Sequence, residues 1–160
     1  MIRNVACQDA EEICRIYNYY VKNTIVSFEE IPVDAAEIIN RIEAITQKFP
    51  WLVYETNKKV VGYAYASAWK QRAAYRFSVE STIYVHPDWT GRKIGYLLYE
   101  RLIAALKQMS LHAVIGTIAL PNDASVALHE RLGFEKVAHF KEVGRKFDKW
   151  IDVGYWQLLI

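Results

Sequence analysis

The chain has 160 residues and a mass of 18.6 kDa, with 52% hydrophobic and 24% charged side chains and a net charge of +2. That length and balance suit one globular domain spanning residues 1–160. They exclude a disordered chain, a strongly basic nucleic-acid coat and a polyacidic tail.

The 11 Tyr, 6 Phe and 5 Trp are enough to line a pocket or a subunit contact, although a core of large rings would also account for them. Cys7 and Cys14 have no CxxC spacing, so reduced thiols are expected. Met1-Ile2-Arg3-Asn4 lacks the apolar stretch of a signal peptide. The longest apolar runs, such as Ala113 to Leu120, fall well short of the ~20 residues of a membrane helix. The expectation is a soluble, cytoplasmic protein with no membrane or nucleic-acid partner.

In chain order, Ile2 to Val5 reads as a short strand. Asp9 to Lys22 carries Ile13, Ile16, Tyr17, Tyr20 and Val21 at the one-sided spacing of an amphipathic helix. Pro32 and Asp34 open a second helix through Ile38, Ile42 and Ile45, and Pro50 forces its exit. Trp51 to Glu55 and Val60 to Trp69 flank the polar turn Thr56-Asn57-Lys58-Lys59, a hairpin pattern. Tyr75 to Val85 has strand composition and stops at His86-Pro87-Asp88.

A third helix follows Gly91, with Ile94, Leu97, Leu98, Leu102, Ala105, Leu106 and Met109 on one side. Ala113 to Ile118 is a continuous apolar run, as in a strand buried on both faces. Pro121-Asn122 opens a short fourth helix through Leu132, and Gly133 stands at its C-terminal cap. Phe134 to Phe140 and Trp150 to Leu159 close the chain as strands. The order β-α-α-β-β-β-α-β-α-β-β indicates an α+β, or mixed α/β, architecture with a parallel crossover around the third helix.

Two segments carry chemistry. In Tyr84-Val85-His86-Pro87-Asp88-Trp89-Thr90-Gly91-Arg92-Lys93-Ile94-Gly95-Tyr96 a strand ends, a basic Gly-containing loop follows and a long helix begins. Free N–H groups and the dipole of a helix start favour an anion, which Arg92 and Lys93 reinforce. A phosphate or pyrophosphate fits, but so does a plain helix with a polar start. The loop matches neither a Walker GxxxxGK[ST] sequence nor a dinucleotide fingerprint. The second segment runs from Leu120 to Phe134. Asn122 or Asp123 there caps a helix whose Val126, Leu128 and Leu132 face the core.

Taken together, the two segments resemble the GCN5-related N-acetyltransferases, the GNAT superfamily. In that family a Q/R-x-x-G-x-G/A loop precedes a helix, and an N-x-x-[SA]-x-x-[LYH]-[YH]-E-x-x-G-[FY] helix comes after the next strand. Here Thr90-Gly91-Arg92-Lys93-Ile94-Gly95 stands for the first, with Thr90 and Lys93 departing from the pattern, and Asn122 to Phe134 for the second. The resemblance is strongest to the phosphinothricin and methionine-sulfone acetyltransferases. It is carried by Ser27-Phe28-Glu29, Trp69-Lys70-Gln71-Arg72-Ala73-Ala74-Tyr75, Val79-Glu80-Ser81-Thr82-Ile83-Tyr84-Val85, His129-Glu130 and Trp150-Ile151-Asp152-Val153-Gly154-Tyr155-Trp156-Gln157.

The resemblance implies a GNAT fold: a central, mostly antiparallel, twisted sheet with one parallel crossover and about four helices. It implies acetyl-CoA as co-substrate and a small-molecule amine as acceptor, with a peptide or protein N-terminus as the alternative acceptor and a CoA-binding module without catalysis as a further one. Glu80 would be the general base. His129 would protonate the departing sulfur or serve as a hydrogen-bonded structural residue. The backbone of Ile83, Tyr84 and Val85 would pair with pantetheine amides, and Gly91, Arg92, Lys93, Ile94, Gly95 and Tyr96 would hold the pyrophosphate. Asn122 and Ser125 would bond the pantetheine. Phe28, Trp69, Arg72 and Tyr75 would receive the acceptor, with Arg72 on its carboxylate. A homodimer is also implied, with Trp150, Tyr155 and Trp156 near the subunit contact. No metal is expected, since His86, His112 and His139 lack ligand-like spacing.

Overall fold

The computed structural model describes residues 1–160. A seven-stranded sheet is formed by β1 (Ile2–Asn4), β2 (Trp51–Thr56), β3 (Lys59–Ala68), β4 (Ser78–Val85), β5 (Ala113–Leu120), β6 (Glu135–Lys146) and β7 (Lys149–Leu159). Four helices, α1 (Ala10–Asn23), α2 (Ala35–Thr46), α3 (Ile94–Lys107) and α4 (Asp123–Arg131), complete it. The sheet order is β1-β2-β3-β4-β5-β7-β6, and every adjacent pair is antiparallel except β4 with β5. The single parallel pair is the crossover through α3 that the element order demanded.

Each helix buries its apolar stripe on one face of this sheet. Ile94, Leu98, Leu102 and Leu106 of α3 pack on Val61, Ala64, Ala66, Val79 and Val114. Gly62 permits that approach, because a Cβ there would lie 3.2 Å from Ile94 and 3.3 Å from Leu98. Ile13 and Ile16 of α1 and Ile38 and Ile42 of α2 cover the other face, around Trp51, Val53 and Tyr63. The alternation of Leu52 and Val53 between the two clusters follows from the two-residue repeat of a strand.

Two boundaries differ from the sequence expectation. Tyr75 lies in a 3₁₀ turn (Ala73–Tyr75) and not in a strand, which begins at Ser78. Local bonds from Tyr75 N to Arg72 O and from Arg76 N to Ala73 O close the turn first. The last two strands are also longer than Phe134 to Phe140 and Trp150 to Leu159 and meet at Phe147 and Asp148, both left-handed (φ 52° and 57°). No Gly or Asn marks that turn, so its signal is absent from the sequence. No helix is long and apolar enough to cross a membrane.

Leu98 is fully buried in the α3 contact. Leu98→Ala is expected to cost about 2–5 kcal/mol, read as a lower denaturant midpoint at an unchanged m-value.

Candidate active site

The site begins where the parallel ladder stops. β4 pairs with β3 along its whole length, but with β5 only from Ser78↔Ala113 to Ser81↔Gly116. Beyond Ser81 the two strands diverge, and Thr82 to Val85 have no strand on that side. Ser78 O and His86 N both bond toward β3. Alternation therefore turns the backbone groups of Thr82 and Tyr84 toward β3, and those of Ile83 and Val85 toward the gap. Of the three residues expected to offer backbone bonds, Ile83 and Val85 face the gap and Tyr84 does not. The Val85 carbonyl accepts a 2.5 Å bond from the Tyr20 hydroxyl.

The gap leads into a groove of about 470 Å³ bordered by Ile83, Tyr84, Val85, Thr90, Gly91, Lys93, Ile94, Gly95, Tyr96, Asn122, Ser125 and Arg131. The start of α3 faces it. The α2 and α4 starts are capped by the side chains of Asp34 and Asn122, whereas α3 has no side-chain cap. Its first N–H groups are left for solvent or a ligand. Gly91 (φ 73°) and Lys93 (φ 63°) are both left-handed, which points successive N–H groups into one concavity. Lys93 adopts this conformation at a cost that glycine would avoid. Arg92 does not border the groove: its guanidinium lies 4.5 Å from the Trp89 ring centroid. Arg131, stacked 4.9 Å from the Tyr96 ring, borders the groove as Lys93 does.

A cavity of about 490 Å³ continues from the groove between the diverging strands. Glu80, Ser81, Thr82, Ile83 and Tyr84 form one wall, and Thr117, Ile118 and Ala119 of β5 face them. Phe28 and Glu29 close one side and Tyr99, Asn122, Ser125 and His129 another. The Ser27-Phe28-Glu29 segment is held from behind by the buried Lys146, whose Nζ donates to Ser27 O at 2.6 Å. Burial lowers the Lys146 pKa. The Phe28 ring lies so close over Gly144 that a Cβ there would come within 2.3 Å of it.

His129 is 2% exposed. Its Nδ1 is 2.7 Å from Ser125 O and its Nε2 is 3.2 Å from Tyr99 Oη. A carbonyl only accepts, so Nδ1 carries the proton and Nε2 accepts from the tyrosine. Burial lowers the His129 pKa, with the Ser125 carbonyl opposing. Burial raises that of Tyr99. At neutral pH the pair is therefore a neutral imidazole and a hydroxyl donor, and the proton between them belongs to Tyr99.

Among the expected site residues, Glu80, Ile83, Tyr84, Asn122, Ser125, His129 and Phe28 share the cavity. Gly91, Lys93, Ile94, Gly95, Tyr96 and Val85 share the groove. Trp69, Arg72 and Tyr75 are not on the cavity wall. They belong to the loop beyond the last β3–β4 rungs, where Arg72 and Tyr75 are exposed. Trp69 meets Tyr155 edge-on at 5.7 Å, and Tyr155 pairs with Thr117 of the cavity wall. Tyr17, Glu29, Tyr99 and Thr117 also line the cavity, and the sequence gives none of them a place in the site. Tyr99 had one available sign, a phenol three residues before Leu102 on an otherwise aliphatic stripe. Trp156 is 2% exposed and donates to Glu130, so it is interior to its own chain.

Two outcomes test this geometry. A Cβ at Gly116 would sit 2.4 Å from His129 Nε2. Gly116→Ala must displace the imidazole from Tyr99 and is expected to cost about 1–3 kcal/mol by overpacking, measured by chemical denaturation. Because the folded His129 pKa lies below its unfolded value, its contribution is complete above about pH 6.5 and is lost as pH falls. Thermal unfolding from about pH 8 to pH 5 should show a shallower loss of Tm in His129→Gln than in the wild type.

Residues 2–154 match the family model described as an acetyltransferase (GNAT) domain. The chain is 38% identical over 156 residues to a phosphinothricin N-acetyltransferase of Streptomyces viridochromogenes, covering 98% of this chain and 85% of that one. It is 36% identical over 159 residues to an L-methionine sulfoximine/L-methionine sulfone acetyltransferase of Pseudomonas paraeruginosa, covering 98% and 92%. A phosphinothricin acetyltransferase from Sinorhizobium meliloti, solved in complex with AcCoA, superposes with a TM-score of 0.97 at 34% identity over 100% of this chain and 88% of that one. With an uncapped helix start facing a backbone gap, a carboxylate inside it and these relatives end to end, the chain belongs to the GNAT acetyltransferases.

Proposed function

We propose that the protein transfers an acetyl group from acetyl-CoA to the free α-amine of a small amino acid or analogue, of the phosphinothricin, methionine sulfone or methionine sulfoximine type. The observation that carries this reading is the position of Glu80: a carboxylate at the end of the parallel ladder, inside a cavity continuous with a groove built for a diphosphate and an extended amide chain. The residues fit acetyl-CoA through the open N–H groups at Gly91 to Tyr96, the charges of Lys93 and Arg131, and the gap-facing backbone of Ile83 and N–H of Val85. The bound co-substrate supplies an activated acyl carbon and a thiolate leaving group.

The chain's own residues do the rest. Glu80 takes a proton from the acceptor ammonium, directly or through one water, so that the nitrogen attacks as a free amine. A new C–N bond forms as the C–S bond breaks, and the gap-facing N–H groups of β4 polarise the acyl oxygen. The departing thiolate takes up the second proton that the nitrogen sheds as the amide forms, while the Tyr99 hydroxyl on the opposite wall donates its one proton to His129. His129 then acts as the acceptor that positions that hydroxyl. Asn122 and Ser125 bond the pantetheine where groove and cavity join. Phe28 encloses the acceptor. Arg72 receives the α-carboxylate from the β3–β4 loop, where Trp69 and Tyr75 give it an aromatic border.

We further infer a homodimer and a cytoplasmic site of action. Val137, Phe140, Val143, Phe147 and Trp150 leave the β6–β7 ribbon 52–62% exposed, an apolar surface of the kind a second copy covers. Reduced Cys7 and Cys14 accord with the cytoplasm.

A CoA-release assay with phosphinothricin, methionine sulfone, methionine sulfoximine, a peptide and a polyamine tests the acceptor. Turnover of the amino acid analogues is expected, and turnover of only the peptide or polyamine would move the protein to another acceptor class. Glu80→Gln should lower kcat/KM by about 10²–10⁴-fold while leaving acetyl-CoA binding intact by calorimetry. The deficit should shrink as pH rises toward the pKa of the acceptor's own ammonium, and an equal deficit at every pH would remove Glu80 as the base.

A further inference from the structure

The open side of β4 offers its backbone groups in a fixed order. From the inner end outward these are the Ile83 N–H, the Ile83 carbonyl and the Val85 N–H, because Thr82 and Tyr84 turn toward β3. The next group, the Val85 carbonyl, is already engaged: the Tyr20 hydroxyl of α1 donates to it at 2.5 Å. Tyr20 is half-buried, borders the groove and has its ring 5.2 Å from that of Tyr84. Burial raises its pKa, so the phenol keeps its proton at neutral pH.

A phenol has one proton to donate and an oxygen that also accepts. The proton goes to the Val85 carbonyl, and no group of the chain donates to the oxygen. Tyr20 therefore carries an acceptor position out to the groove in place of the carbonyl that it covers. That acceptor is neutral, and the groove border has Lys93 and Arg131 but no Asp or Glu. A carboxylate there would accept equally well but would repel a diphosphate at the start of α3.

A pantetheine thioester has a matching order of groups. A trans amide turns its N–H and its carbonyl to opposite sides, so each amide of the arm gives β4 one of the two. The acyl oxygen then suits the Ile83 N–H, the first amide N–H the Ile83 carbonyl, and the second amide carbonyl the Val85 N–H. The next polar group along the arm is a hydroxyl, and the acceptor it meets is the Tyr20 oxygen. Resting on the reading that the arm of acetyl-CoA lies along this gap, we propose that Tyr20 is a co-substrate-binding residue whose phenol oxygen accepts from the pantetheine hydroxyl.

Tyr20→Phe keeps the ring and removes only the oxygen. By calorimetry its Kd for acetyl-CoA is expected to rise about threefold to tenfold, with kcat unchanged because the acyl end still lies on Ile83. Two truncated thioesters locate the effect: S-acetylpantetheine, and the S-acetyl thioester of N-acetyl-β-alanylcysteamine, which keeps both amides and lacks the hydroxyl. The wild type should favour the first in kcat/KM, and Tyr20→Phe should reduce that preference about threefold to tenfold while leaving the second thioester's value as it was. An unchanged or tighter Kd would overturn the proposal, the latter showing that Tyr20 competes with the arm for the Val85 carbonyl. Equal losses on both thioesters, the mark of a purely structural tie between α1 and β4, would overturn it too, as would a wild type with no preference between them. Failure of the wild type to bind acetyl-CoA would instead overturn the reading on which the proposal rests.

Discussion

The divergence of β4 and β5 is the constraint on which the site depends. Two parallel strands that pair for four rungs and then separate leave backbone donors and acceptors exposed in the middle of a sheet. Such groups are costly to leave without partners. The gap therefore has a built-in demand for an extended chain of amides, which a pantetheine arm can meet as an inserted strand meets a sheet edge. Placement of the remaining functional groups follows from the gap. Glu80 lies just before the separation, Thr117 and Asn122 lie on the far strand and the turn beyond it, and the start of α3 stands where β4 ends.

α3 ties the gap to the core. Its apolar side is anchored by Leu98, Leu102 and Leu106, which are wholly buried. Its N-terminus has no side-chain cap and so presents its N–H groups to the groove. The same helix carries Tyr99 into the cavity, where the hydroxyl meets His129 from α4. One rigid element thus carries both the open N–H groups and the Tyr99 hydroxyl, and any shift of α3 on β3 would move both together. The close approach at Gly62 limits that freedom.

At the Phe28 side of the cavity the anchoring is of another kind. The Ser27-Phe28-Glu29 segment has no regular secondary structure and is fixed by side chains distant in sequence: Lys146 to the Ser27 carbonyl, Gly144 beneath the Phe28 ring and Arg41 on Glu29. The groove is thus built on helix and strand, which tolerate little change, and the Phe28 side of the cavity on a clamped loop, where single substitutions can alter chemistry without disturbing the fold.

Much of this was legible in the sequence, because it depends on local order. The alternation of elements, the apolar stripe of α3, the basic turn at Gly91 to Lys93 and the Asn122 cap are encoded by neighbouring residues, and with the motif they carry they point to the fold, the groove and Glu80. What tertiary structure alone decided concerns partners far apart in the chain. Nothing local shows that Arg92 turns onto Trp89 while Arg131 comes to the groove, or that the turn at Phe147 and Asp148 lengthens the last hairpin without a glycine. The tautomer of His129 is fixed by a carbonyl one turn back and a phenol 30 residues away. Glu29 is fixed by Arg41, a partner on another element 12 residues further along the chain. Periodicity reports which face of an element is buried; which atoms meet across a cavity is set by how the elements pack.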